Sequence, residues 1–158
     1  TGAAPQPLID YMGIPIRESL PMVVDVLKSH HLKQRIKVIA SGKLITPSLV
    51  AWALCLGADF VVSARGFMFS LGCIQALHCN KNTCPTGITT HNKRLQSGLD
   101  PSDKAIRVSH YVNNIRLGLD HIAHACGVKE PRLLRRSHCR VVGAEGRSTL
   151  YSDLYPEQ

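Results

Sequence analysis

Ile36-Lys37-Val38-Ile39-Ala40-Ser41-Gly42-Lys43 and Phe60-Val61-Val62-Ser63-Ala64-Arg65-Gly66, with Thr46-Pro47 and Leu56-Gly57 between them, decide the fold. Each stretch is a short β-branched apolar run that stops at a polar glycine turn, the pattern of a buried strand. Ile36 to Ala40 and Phe60 to Ala64 are the predicted strands. Between them Thr46 is placed to cap a helix and Pro47 to take its first position, where its missing N–H costs nothing. Val50, Ala53 and Leu54 carry this helix to a glycine stop at Gly57. Strand, turn, helix, stop, strand makes a βαβ unit with parallel strands. Ligands of parallel α/β sheets gather at the C-terminal strand ends, which here are the turns after Ala40 and Ala64.

Outward from that unit, Leu20, Val23, Val24, Val26 and Leu27 repeat with helical spacing and predict a helix over 16–30, with Pro21 near its first turn. Toward the C-terminus, Asp100-Pro101 opens a long helix that runs to about Cys126 and stops at Gly127. Its stripe of Ile106, Val108, Val112, Ile115, Leu119, Ile122 and Ala123 reads as a face packed on a core. Residues 141–158 read as a polar tail, marked by Gly143-Ala144-Glu145-Gly146 after Val142.

The 158 residues are enough for one domain with its own core, and a 44% hydrophobic content is that of an ordinary globular chain. Aromatic residues are only 5%, too few for a base-stacking platform, so the net charge of +8 is not read as a nucleic-acid surface. The basic residues are scattered except near Arg132, Arg135, Arg136 and Arg140, a group suited either to docking an acidic electron donor or to solvation. The longest apolar run, Leu49 to Leu56, is too short to span a bilayer. Thr1-Gly2-Ala3-Ala4-Pro5 has neither a basic start nor an apolar stretch behind it, so a cytoplasmic protein is expected. A chain opening in such a loop without Met also reads as part of something longer.

Six cysteines without a secretory signal point to metal or redox chemistry before disulfides. Cys55, Cys126 and Cys139 stand alone, and Cys55 reads as a small core hydrophobe. Cys73, Cys79 and Cys84 are bunched, with five and four residues between them, and Pro85 follows the third. Thiolates are soft ligands for zinc or iron–sulfur clusters. A structural zinc site usually takes four ligands at closer spacing, whereas three thiolates and a Cys-Pro ending suit a cuboidal cluster lacking one iron. Spacing alone leaves three alternatives open: reduced spectators, zinc completed by His78 or His91, or a disulfide with one free thiol. The remaining histidines have no partner at metal-like spacing and read as solvated or packed.

The order of Ala40-Ser41-Gly42-Lys43, Leu56-Gly57-Ala58-Asp59, Ala64-Arg65-Gly66-Phe67-Met68-Phe69, Leu71-Gly72-Cys73-Ile74-Gln75-Ala76 and Asn82-Thr83-Cys84-Pro85-Thr86-Gly87 resembles the FMN-binding domain of glutamate synthases and glutamate-synthase-related proteins. The likeness spans roughly residues 1–140, and Thr1-Gly2-Ala3-Ala4-Pro5 resembles the end of a further family motif. It implies the C-terminal part of a (β/α)8 barrel, of which this chain supplies the last two strands, the cluster loop and the C-terminal helices. It also implies FMN at the barrel mouth and a [3Fe–4S] cluster on Cys73, Cys79 and Cys84. In the family, 2-oxoglutarate and ammonia are reduced to glutamate with electrons from ferredoxin or an NADPH-oxidising partner. A barrel often holds a phosphate on the loops after strands seven and eight, here Ser41, Gly42, Lys43 and Ala64, Arg65, Gly66. Lys43 or Arg65 would neutralise it, although Gly42 and Gly66 also suit plain tight turns. The chain lacks a glutaminase domain and the early barrel strands, so no catalytic base is assigned and the chain alone is expected not to turn over. Two other functions fit parts of the pattern: a phosphate-binding barrel of the inosine-monophosphate-dehydrogenase type, which lacks the cysteine triplet, and a zinc-stabilised binding module.

Overall fold

The computed structural model describes residues 4–156, and the first three residues of the opening motif lie outside them. The chain divides into two compact units. One comprises Ile14–Val62 and residues from Ile115 onward; the other comprises residues up to Gly13 and Ser63–Asn114.

The first of these units carries α2 (Ile16–Ser29), β1 (Ile39–Ser41), α3 (Pro47–Cys55) and β2 (Phe60–Val62). β1 and β2 pair in parallel, with Ile39 opposite Phe60, Ala40 opposite Val61 and Ser41 opposite Val62. The βαβ reading therefore stands, and among the described residues this sheet has two strands. β2 stops at Val62 because a helix begins at Ala64, and β1 starts later than its apolar run predicts for a different reason. The Val38 N–H donates to the Asp59 carboxylate at 2.7 Å, while the Val38 carbonyl accepts from the Asp59 and Phe60 N–H groups. Asp59 thus ends the ladder below Ile39 and receives Lys33 Nζ at 2.7 Å. Thr46 caps α3 through the Leu49 N–H, with Pro47 first in the helix as predicted. Pro21, by contrast, sits well inside α2 and is buried.

Ala40 faces a core of Leu20, Val24, Leu44, Ala53 and Leu56, against which Val61 packs. The alternate positions Ile39, Phe60 and Val62 are 63%, 49% and 45% exposed. One sheet face is therefore covered by helices and the other presents apolar side chains to solvent, where a wholly buried parallel sheet would cover both.

The presumed polar tail is a correction. Arg140–Val142 (β3) and Ser148–Leu150 (β4) form an antiparallel hairpin, followed by α7 (Tyr151–Leu154). Tyr151 is buried and stands edge-on to Trp52 with ring centroids 6.2 Å apart. Two aromatic residues, Tyr151 and the Tyr155 stacked on it, anchor a segment whose other residues are mostly polar, and that composition concealed it. The arginine group is also mostly engaged within this unit. Buried Arg136 binds both carboxylate oxygens of Asp25 and the Tyr155 carbonyl. Arg132 reaches the Asp59 carbonyl and lies over the Phe60 ring, and Arg140 binds Ser148.

The other unit holds α1 (Gln6–Asp10), α4 (Ala64–Ser70), the cysteine loop and α5 (Lys93–Gln96). α6 (Pro101–Ala125) begins there and continues into the first unit. Asp100 accepts from the Ser102 N–H at 2.9 Å, the expected cap, and Gly127 closes the helix at φ +77°. Only part of the predicted stripe is covered: Ile115, Leu119 and Ile122 are half-buried and Ala123 is buried, but Ile106 is 58% exposed.

Candidate functional site

The two turns proposed to hold a phosphate differ from expectation. After β1 it is Lys43, not Gly42, that takes the left-handed conformation, at φ +57°. A Cβ on Gly42 would lie 3.0 Å from Ile16 Cδ1, so this glycine admits an apolar neighbour from α2. After β2 there is no glycine turn: Ala64, Arg65 and Gly66 form the first turn of α4. A Cβ on Gly66 would collide with the Tyr111 hydroxyl, which itself hydrogen-bonds Ser63 Oγ at 2.6 Å. Packing therefore favours glycine at both positions. The strand register, with Ser41 opposite Val62, does bring both strands to their C-terminal ends side by side.

The cysteine loop begins where α4 ends, at Leu71-Gly72, with the Cys73 N–H bonded to the Met68 carbonyl. It has little regular structure and is held by local bonds. The buried Thr90 hydroxyl donates to the Asn82 carbonyl at 2.7 Å, the Asn82 side chain accepts from the His91 N–H, and Gln96 Nε2 donates to the Thr90 carbonyl. Asn92 caps α5 through the N–H groups of Arg94 and Leu95. Gly87 has no room for a side chain, because a Cβ would lie 2.5 Å from the Leu95 carbonyl oxygen. Gln75, Leu77 and Asn82 have φ of 56° to 57°, a left-handed conformation costly for the first two.

Cys73, Cys79 and Cys84 line one small cavity, together with Met68, Ile74, His78, Thr86 and Thr89. A larger cavity of about 180 Å³ adjoins Cys73 and Cys79 and is lined by Arg65, Phe69, Gln75 and Asn80. Burial alone would push the Cys84 thiol up. The Thr86 hydroxyl at 3.2 Å and the N–H groups of Thr89 and Thr86 outweigh it and hold Cys84 at about 6. Sulfur here is prepared as a thiolate, the form that binds metal. The Thr89 hydroxyl is buried without a hydrogen-bond partner of its own. Such a group is costly unless something polar meets it. Among the described residues no three His, Cys, Asp or Glu side chains converge closely enough to hold a single metal ion. His78 instead contacts Thr83 Oγ1 at 3.3 Å, and His91 is exposed.

A parallel βαβ element followed by a three-thiol loop defines the class of protein. Residues 1–129 match the conserved region in glutamate synthase, and the chain belongs to that family. It is 47% identical over 138 residues to the glutamate synthase large subunit-like protein YerD of Bacillus subtilis, covering 87% of this chain and 26% of that protein. It is 33% identical over 143 residues to the archaeal glutamate synthase [NADPH] of Methanocaldococcus jannaschii, covering 90% of this chain and 28% of that one. The glutamate synthase [NADPH] large chain of Azospirillum brasilense is 32% identical over 96 residues, which are 61% of this chain and 6% of that protein. The chain thus spans just over a quarter of the first two relatives.

Proposed function

We propose that the chain supplies the cofactor-holding end of a glutamate-synthase-type oxidoreductase, with Cys73, Cys79 and Cys84 as thiolate ligands of a [3Fe–4S] cluster. The carrying observation is that Cys73, Cys79 and Cys84 line one cavity, beside a thiolate-stabilised Cys84 and an unpartnered Thr89 hydroxyl. Three thiolates with a Cys-Pro ending suit a cuboidal cluster lacking one iron better than a structural zinc ion, which usually takes four ligands at closer spacing. FMN would sit at the C-terminal strand ends, served by Ser41, Gly42, Lys43, Ala64, Arg65 and Gly66, with the Lys43 and Arg65 cations toward its phosphate. The uncovered apolar face of Ile39, Phe60 and Val62 supports a larger sheet, closing as a (β/α)8 barrel, in the whole protein. Bound together, the two groups would supply electron relay and hydride chemistry for forming glutamate from 2-oxoglutarate and ammonia. The electron source would be ferredoxin or an NADPH-oxidising partner, and two relatives carry NADPH in their names.

The chain's own part in this is to hold and orient. The bonds of Thr86 and Thr89 keep Cys84 deprotonated, and the Asn82–Thr90–Gln96 network fixes the loop around it. The match to the family runs through the cysteine loop, a feature the inosine-monophosphate-dehydrogenase-type reading lacks.

The test is the full-length protein purified without oxygen, assayed for iron, acid-labile sulfide and flavin. Wild type is expected to hold iron and sulfide, and Cys84→Ala to lose both with the broad visible absorption. Equal iron and sulfide in wild type and Cys84→Ala would remove the assignment. Arg65→Ala is the cleaner probe of the flavin site, with weaker flavin retention expected. Substitution at Gly42 would confound flavin loss with the collision against Ile16.

A further inference from the structure

Inside the unit that carries the cysteine loop, α4 has two distinct faces. Arg65, Met68 and Phe69, at helical spacing, line the cavity of about 180 Å³ that adjoins Cys73 and Cys79. Ser63, Gly66 and Phe67, with the same spacing, meet the Tyr111 side chain of α6 instead. The Tyr111 and Ser63 hydroxyls hydrogen-bond at 2.6 Å, and the Tyr111 ring stands edge-on to Phe67 with centroids 5.3 Å apart. A Cβ on Gly66 would collide with the Tyr111 hydroxyl. We propose that Tyr111 is a positioning residue for the flavin site: its hydroxyl seats the start of α4 and thereby sets where Arg65 stands. The proposal rests on the reading of Arg65 as the cation toward the flavin phosphate.

Two choices in the sequence of α4 run against helix stability, and Tyr111 accounts for both. Serine ahead of a helix ordinarily caps it, a contribution of about 1 kcal/mol. Ser63 makes no such side-chain bond to α4, and its hydroxyl meets Tyr111 instead. Glycine within a helix costs about 1 kcal/mol relative to alanine. Gly66 is buried in the first turn, where alanine would push Tyr111 away.

A helix of seven residues is too short to hold its geometry alone in water, so its setting depends on what it packs against. Arg65 lies between Ser63 and Gly66, the two positions that the Tyr111 hydroxyl meets. A flexible cation grips an anion well only where packing and hydrogen bonds fix its backbone beforehand. Without the hydroxyl bond the first turn is freer, and more ordering is left to the binding step, which weakens the grip.

The experiment titrates flavin-stripped full-length protein with FMN and follows the quenching of flavin fluorescence. Tyr111→Phe keeps the ring against Phe67 and removes the hydroxyl alone. It should weaken FMN binding about fivefold, the worth of one net hydrogen bond. Ser63→Ala removes the same bond from the other side and should give the same loss, with the double variant no weaker than either. In an Arg65→Ala background, Tyr111→Phe should have no further effect, because the hydroxyl acts through that guanidinium. A merely structural weakening would persist there. Equal FMN affinity in wild type, Tyr111→Phe and Ser63→Ala, or the same loss with and without Arg65, would overturn the proposal and leave the flavin reading standing. A wild-type protein that takes up no FMN, or an Arg65→Ala protein that binds it as well as wild type, would remove both together.

Discussion

In the unit built on the parallel strands, Leu20, Val24, Leu44 and Leu56 are between 0% and 4% exposed and form a continuous core. In the unit that carries the cysteine loop, the buried residues among those described are Gly66, Cys84, Gly87 and Thr90. The first region is held by apolar packing, worth roughly 1.5–3 kcal/mol for each large side chain removed from water. The second is held by caps, turns and side-chain hydrogen bonds, each with a net worth of about 1 kcal/mol. It also spends backbone strain at Gln75 and Leu77. With so few buried residues, this unit depends on its side-chain hydrogen bonds for local order, whereas the other depends on packing.

Breaking the scaffold should have the largest effect. Arg136→Ala leaves Asp25 without its partner and the Tyr155 carbonyl without a donor, and should cost about 3–5 kcal/mol, read as a lower urea midpoint. In the cysteine loop, Thr90→Val deprives the Asn82 carbonyl of its donor and should cost about 1–3 kcal/mol. That loss should appear first as faster amide exchange at His91 and Asn92, while Ala53 and Leu56 keep their protection. Thr46→Ala removes one exposed cap whose bond is long, 3.4 Å, and should cost about 0.5–1 kcal/mol by the same denaturation measurement.

The pH dependence of the scaffold sharpens the contrast further. Burial would raise the Asp59 carboxyl, but Lys33, the Val38 N–H and Lys37 together hold it below its ordinary value of 3.8. A depressed acid stabilises the folded state fully above its unfolded value and loses that contribution as pH falls through the folded one. The stability difference between wild type and Asp59→Asn should therefore be flat above about pH 4 and shrink below it. An unchanged difference at pH 2.5–3 would show that the Asp59 network does not order the strand ends.

Much of this was legible in residue order. Thr46-Pro47, Gly57 and Asp100-Pro101 mark helix ends because caps and stops depend on neighbours within a few residues. The bunching of Cys73, Cys79 and Cys84 is likewise visible in the residue order, and the three line one small cavity. What stayed hidden depends on distant partners. Arg65-Gly66 reads as a turn, yet Gly66 is a helical residue packed under Tyr111, forty-five positions away. Gly42 resembles an anion-binding turn, yet its space is taken by Ile16.

By itself the sequence determined the parallel βαβ pattern, the long capped helix and the bunched thiols, all set by local periodicity and backbone chemistry. Only the tertiary structure decided that residues after Val142 return to the core through Tyr151, and that Arg136 is an internal strut. It alone packed Cys139 against the group of Ala51, Cys55 and Leu134. Those facts rest on contacts between residues far apart in the chain, which no short window of sequence contains.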